Sequence, residues 1–202
     1  MSRARIGILG GSFDPPQLGH LILAEYSREI LDLDCMLFVP VGDHPVKRSS
    51  ARSPLPHRLA MLKLAIAGNQ HFRISRVDID RAGPHYSADT VNIIRAQQPD
   101  AQLYFVMGGD NLRDLPTWER PQELARSCRL AVMRRADEDI APDMHDESLP
   151  GLSQQIDMID VPLLSVWLSS THVVSRLRAG HSVRYLVPDA VLDYICARNL
   201  YQ

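Results

Sequence analysis

The stretch Arg5-Ile6-Gly7-Ile8-Leu9-Gly10-Gly11-Ser12-Phe13-Asp14-Pro15-Pro16-Gln17-Leu18-Gly19-His20 decides how the rest of the chain is read. A short apolar run ends in a glycine pair, crosses a proline-stiffened loop and enters the amphipathic segment Leu21 to Ile30 behind Gly19-His20. The run predicts a buried first strand, and the segment after His20 predicts a helix. Glycines at the end of a buried strand let a ligand approach the backbone, because no Cβ intervenes. A histidine in the first helical turn lies where free N–H groups and the positive dipole end attract phosphate. The stretch reads as a nucleotide site, with a plain strand–turn–helix connection as the alternative. It is not the dinucleotide fingerprint, since the third glycine comes too late and no acidic residue closes a second strand in the right place. Nor is it a P-loop, since no Gly-Lys-Ser/Thr follows.

Outward from this unit, apolar runs and helical periodicity alternate. Met36 to Pro40 predicts a second strand that ends in the loop Val41 to Arg48. Helical spacing returns from His57 to Ile66, an extended piece follows at Phe72–Ser75, and another helix is expected near Asp89–Gln98. Leu103–Met107, Leu130–Met133 and Met158–Val161 complete six predicted strands. Such alternation implies an α/β fold: a mainly parallel sheet with helices on both faces. Ligands in these sheets bind beyond the carboxyl ends of the strands, where the strand order switches. The loops beginning at Gly10, Val41, Gly108 and Arg134 all follow strands and should converge on one rim.

At 202 residues the chain fits a single domain. The acidic, proline-containing stretch 137–150 is expected to be a surface excursion around a weak helix, and the part near 169–202 to be helical. The 22 basic and 24 acidic residues nearly cancel, which argues against a dedicated nucleic-acid binder. No apolar stretch reaches membrane-spanning length and the start does not resemble a signal peptide, so a cytoplasmic location is expected. Cys35, Cys128 and Cys196 lack metal or disulfide spacing and read as small buried hydrophobes in a reducing compartment.

Near the C-terminus, Ser169-Ser170-Thr171 precedes Val173, Val174 and Leu177 at helical spacing, with Gly180 as a stop. Hydroxyls at a helix start are first of all N-caps. The same place also suits a polyphosphate.

Taken together, Gly10-Gly11-Ser12-Phe13-Asp14-Pro15, Gly19-His20, Gly108-Gly109-Asp110, Trp118 and Ser169-Ser170-Thr171 resemble the bacterial nicotinate-mononucleotide adenylyltransferases of the nucleotidyltransferase superfamily. Gly83-Pro84-His85-Tyr86-Ser87-Ala88-Asp89-Thr90 is similar to that family's Gly-Pro-x-Tyr-Thr-x-Asp-Thr segment. The ending Arg184-Tyr185-Leu186-Val187-Pro188, with Tyr194-Ile195 and Leu200-Tyr201, also matches. The resemblance implies a Rossmann-like, doubly wound fold and transfer of AMP from ATP to nicotinate mononucleotide, giving deamido-NAD and pyrophosphate. It implies catalytic roles for His20 and Lys47. ATP would meet Gly10, Gly11, Ser12, Phe13, Gln17, Gly19 and His20 at the first loop, then Gly108, Asp110 and Arg135 at later strand ends. Ser169, Ser170 and Thr171 would hold the outer phosphates. The acceptor would meet Ser12, Tyr86, Ser87 and Trp118, although Trp118 also reads as a packed core aromatic. Mg²⁺ would ride on the phosphates without a dedicated protein site. The family often forms oligomers, so a homo-oligomer is possible.

Three positions depart from the family pattern. Gln17 stands where the signature has His or Thr, Val46 precedes Lys47 where a polar residue is common, and Val174 replaces an Arg. Each removes a potential phosphate partner. Two further readings stay open on these grounds: a nucleotide-binding homologue with weakened or lost catalysis, and a nucleotidyltransferase with another phosphorylated acceptor.

Overall fold

The computed structural model describes residues 3–42, 53–134, 139–160 and 168–202. Among these residues six strands form one sheet: β1 (Arg5–Gly11), β2 (Cys35–Pro40), β3 (Phe72–Ile74), β4 (Gln102–Gly108), β5 (Arg129–Arg134) and β6 (Ile156–Asp160). The order is β3-β2-β1-β4-β5-β6 and every neighbouring pair is parallel. The expected doubly wound α/β architecture is therefore what the chain adopts. The order switches between β1 and β4, the place where such sheets open a crevice.

Alternation along each strand divides the core. Leu103, Phe105 and Met107 of β4 face α3 (Ser87–Gln97), α4 (Gly109–Asp114) and α5 (Pro121–Ser127) in one cluster. Tyr104 and Val106 face α1 (Leu18–Ile30) and α2 (Leu55–Ile66) in the other. Each fully buried aliphatic or aromatic side chain here contributes about 1.5–3 kcal/mol. A third cluster, Met61 with Val173, Val183, Val187, Val191 and Ile195, fastens α6 (Ser170–Arg178) and α7 (Asp189–Ala197) to α2.

Several local expectations need correction. Helix α1 begins at Leu18 rather than Leu21, because Gln17 caps it. Residues 142–148 form successive turns rather than a weak helix, and Ile140 and Leu149 are buried in the main core. Helices α4, α5 and α7 were not anticipated as separate elements; six to nine residues give too few turns for periodicity to register. Only Cys128 is buried, while Cys35 is half-buried and Cys196 exposed. Val161 lies outside the described residues. Among those residues, no helix is long and apolar enough to cross a membrane.

Candidate active site

Two cavities open at the carboxyl edge of the sheet, beside the switch between β1 and β4. The larger, about 500 Å³, is bordered by Gly10, Gly11, Ser12, Ser87, Gly108 and Trp118. The smaller, about 220 Å³, is bordered by Gln17, Gly19, Asp110, Ser169 and Ser170. His20, Leu23, Gly108 and Asn111 border both, so His20 stands at the junction. The expected convergence of strand-end loops holds for Gly10, Val41 and Gly108. Arg134 ends β5 on the same edge and pairs with Asp160 of the neighbouring strand at 2.8 Å, while the loop that follows it lies outside the described residues.

His20 is positioned from two sides. It is the third residue of α1, and its Nδ1 accepts the Gln17 N–H at 3.1 Å while the Gln17 side chain accepts the His20 N–H at 3.2 Å. This reciprocal capping box fixes the tautomer: Nδ1 is an acceptor, so the neutral ring carries its proton on Nε2. On the other side, the Phe13 ring meets the imidazole edge-on at 5.1 Å. Burial pulls the imidazole down from 6.5 to about 4. The free site thus presents a neutral donor.

That shift sets a pH dependence. The unfolded chain titrates near 6.5, the folded chain near 4, so between them the unfolded state binds more protons. Stability is fully present above pH 6.5 and falls as pH drops toward 4. Protonation also removes the Nδ1 lone pair that receives the Gln17 N–H. Urea unfolding across this window is expected to record the loss, with a shallower slope in His20→Asn. Equal slopes would place the acid sensitivity elsewhere.

The two glycines after β1 have different reasons. A Cβ on Gly10 would meet no protein atom nearer than 3.9 Å, so the space it would fill belongs to the cavity. A Cβ on Gly11 would sit 3.1 Å from the Phe13 ring. Gly19 leaves room for the Gln17 amide, which a Cβ there would approach to 2.6 Å. The expectation of free N–H groups at the start of α1 is corrected for two residues. The Leu18 N–H bonds to Leu186 O at 2.9 Å, and the His20 N–H is capped.

Three proposed ligand contacts border neither of these two cavities. Phe13 is 1% exposed and supports His20 from the core. Tyr86 lies outside the cavity wall, with the Arg120 guanidinium 5.8 Å over its ring. Thr171 is exposed and borders neither cavity, whereas Ser169 caps the His172 N–H at 3.1 Å and Ser170 Oγ donates to Pro15 O at 2.8 Å. Lys47, Arg135 and Val46 lie outside the described residues.

Ser87 opens α3, whose N-cap Tyr86 makes no side-chain capping bond. The first-turn N–H groups have no intrahelical acceptor and point, with the dipole, toward the end of the helix that Ser87 presents to the cavity. Trp118 packs its edge on Phe105 at 6.1 Å and also borders the cavity, so both readings of this residue hold in part.

Sequence reading missed two polar anchors. Arg58 is fully buried in α2 and donates to Ser12 O at 3.0 Å, Val41 O at 2.9 Å and Ser53 O at 3.1 Å. It ties the ends of β1 and β2 together. Asp78, 4% exposed on the larger cavity, accepts from Thr90 Oγ1 at 2.8 Å and from Arg81 at 2.8 Å. Thr90 thus anchors Asp78, and Asp89 of the same segment pairs with Arg120 at 2.6 Å. Helical periodicity carries no signal for Arg58, because its partners are carbonyls on distant loops.

Val174 is half-buried and four residues after Ser170, hence on the helix face that meets the smaller cavity. Val174→Arg is expected to tighten ATP binding by about 1–2 kcal/mol, roughly five- to thirtyfold, through a bidentate charge-assisted grip. Isothermal titration checks it. Unchanged affinity would mean that another cation, such as Arg178 one turn further on, already serves.

The family model described as cytidylyltransferase-like matches residues 8–176. A Thermomicrobium roseum protein named probable nicotinate-nucleotide adenylyltransferase is 40% identical over 199 residues, covering 98% of this chain and 92% of the relative. A Dehalococcoides mccartyi protein of the same name is 43% identical over 204 residues, covering 100% and 98%. Among solved structures, Plasmodium falciparum nicotinic acid mononucleotide adenylyltransferase complexed with NaAD superposes with a TM-score of 0.82 at 19% identity. That match spans 98% of this chain and 97% of the other, and at such identity it speaks to the fold alone. With full-length identity of 40% and above to the first two proteins, the chain belongs to the nicotinate-nucleotide adenylyltransferase family.

Proposed function

We propose that this chain transfers the adenylyl group of ATP to the 5′-phosphate of nicotinate mononucleotide, releasing pyrophosphate and forming deamido-NAD. One observation carries the reading: the His20 imidazole stands where the two cavities meet. The larger cavity, with Trp118 and the start of α3, suits a pyridine ring bearing a carboxylate. The smaller, with Asp110, Ser169 and Ser170, suits the ribose and phosphates of ATP.

In this reading an acceptor phosphate oxygen forms a bond to the α-phosphorus while the α–β bridging bond breaks. The electron pair leaves with pyrophosphate. The attacking oxygen is already anionic, so no general base is needed. His20 Nε2–H donates to a non-bridging α-phosphate oxygen as charge builds there, and Gln17 and Phe13 hold it in place. Asp110 accepts from a ribose hydroxyl. Among the described residues no group of three or more His, Cys, Asp or Glu could enclose a metal. Mg²⁺ would bind chiefly through the substrate phosphates and water. When bound, the ion would offset the triphosphate charge. Both substrates are metabolites of the cytoplasm, where this reading places the protein.

Pyrophosphate release with ATP and a panel of phosphorylated acceptors tests the proposal. Turnover with nicotinate mononucleotide supports it. Binding of both substrates without turnover, or turnover only with another acceptor, overturns it.

A further inference from the structure

Residues 12–17, between β1 and α1, carry the ring that supports His20 and make few bonds among themselves. Much of their fixation comes from the C-terminal part of the chain. Ser170 Oγ donates to Pro15 O at 2.8 Å and Gln17 Nε2 donates to Leu168 O at 3.1 Å. The Tyr201 hydroxyl donates to Asp14 Oδ1 at 2.5 Å, and the Ser53 N–H donates to Asp14 Oδ2 at 2.9 Å. Asp14 immediately follows Phe13, whose ring lies 5.1 Å from the His20 imidazole.

We propose that Tyr201 is a positioning residue for the transfer site, acting through Asp14 and Phe13 on His20. The inference rests on the adenylyl-transfer reading for its kinetic consequence, though not for its structural one. Docking the tail does not require the hydroxyl, since Val183, Val187, Val191 and Ile195 already bury the C-terminal part against Met61. Yet Tyr201 holds φ at +66°, and Phe13 holds +48°, both in the left-handed region that side-chain-bearing residues avoid. Such conformations persist where the surroundings over-determine them, and they cluster at functional sites. Burial and the adjacent carboxylate raise the Tyr201 pKa, so the hydroxyl keeps its proton and remains a donor. Loss of that donor frees one Asp14 oxygen and loosens the residue next to Phe13. Catalysis by alignment is sensitive to this, because a displacement of about 1 Å can cost up to about a hundredfold in rate.

Tyr201→Phe in the full chain keeps the ring and deletes one oxygen. Its kcat is expected to fall about tenfold, with KM for ATP and for nicotinate mononucleotide each within about twofold of the parent. In an Asp14→Ala background the same substitution is expected to change kcat little, because the partner is already gone. A parental kcat in Tyr201→Phe, or an undiminished loss in the Asp14→Ala background, would overturn the proposal. The His20 imidazole resonances are a second measure that needs no turnover. They are expected to shift in Tyr201→Phe, and unchanged resonances refute the coupling. If the parent itself releases no pyrophosphate, the functional reading fails while these resonances still decide the role of Tyr201.

Discussion

His20→Ala is expected to lower turnover by about 10²–10³-fold, roughly 2.7–4 kcal/mol, the usual cost of one transition-state donor to a developing oxyanion. The substitution removes Nε2–H from the junction of the two cavities, and among the described residues no other side chain that borders both is a cationic or imidazole donor. It also removes half of the α1 capping box and the edge contact with Phe13. A stability loss of about 0.5–2 kcal/mol should therefore accompany the kinetic loss, as for other helix caps. The two effects separate cleanly. His20→Asn, which leaves a side-chain acceptor near the Gln17 N–H, should recover part of the stability and little of the rate. Pyrophosphate release per folded molecule, read beside urea unfolding, is the measurement. Turnover within about threefold of the parent would reduce His20 to a helix-start residue.

The frame of the fold was legible because it rests on local pattern. Buried runs such as Leu103–Met107 cannot be mistaken for surface, and six of them punctuated by helices leave little beyond a parallel sheet. Parallel strands share one carboxyl edge, which is why Gly10, Val41 and Gly108 meet although they are distant in sequence. What stayed hidden is non-local polar bonding. Arg58 sits among apolar helix positions as an ordinary surface cation would, and only the folded chain reveals the three carbonyls it serves. Asp78 is equally silent until Arg81 and Thr90 close on it. Phe13 and Thr171 were assigned to the ligand because motifs name neighbouring residues together, whereas a turn aims consecutive side chains in different directions. Phe13 consequently faces the core while Ser12 borders the cavity.

Nicotinate mononucleotide is expected to exceed its amide analogue by about 1.5–3 kcal/mol in kcat/KM, roughly ten- to 150-fold. The larger cavity presents the Ser87 end of α3, where first-turn N–H groups lack intrahelical acceptors and Tyr86 supplies no side-chain cap. A carboxylate accepts from such donors and gains from the dipole as well. A carboxamide offers one acceptor and turns its own NH₂ toward donors, leaving buried groups unpaired. The Asp78 carboxylate, an acceptor that would otherwise favour an amide, is already engaged by Arg81 and Thr90. Steady-state kinetics with the two acceptors at saturating ATP give the ratio, and equal kcat/KM would sink the idea. Ser87→Ala should narrow the ratio only slightly, since the backbone donors remain. Trp118→Ala should raise KM for acid and amide by a similar factor, because stacking on an indole responds to the ring more than to its substituent. A collapse of the ratio in Trp118→Ala, with no change in Ser87→Ala, would move the discrimination from the helix start to the indole.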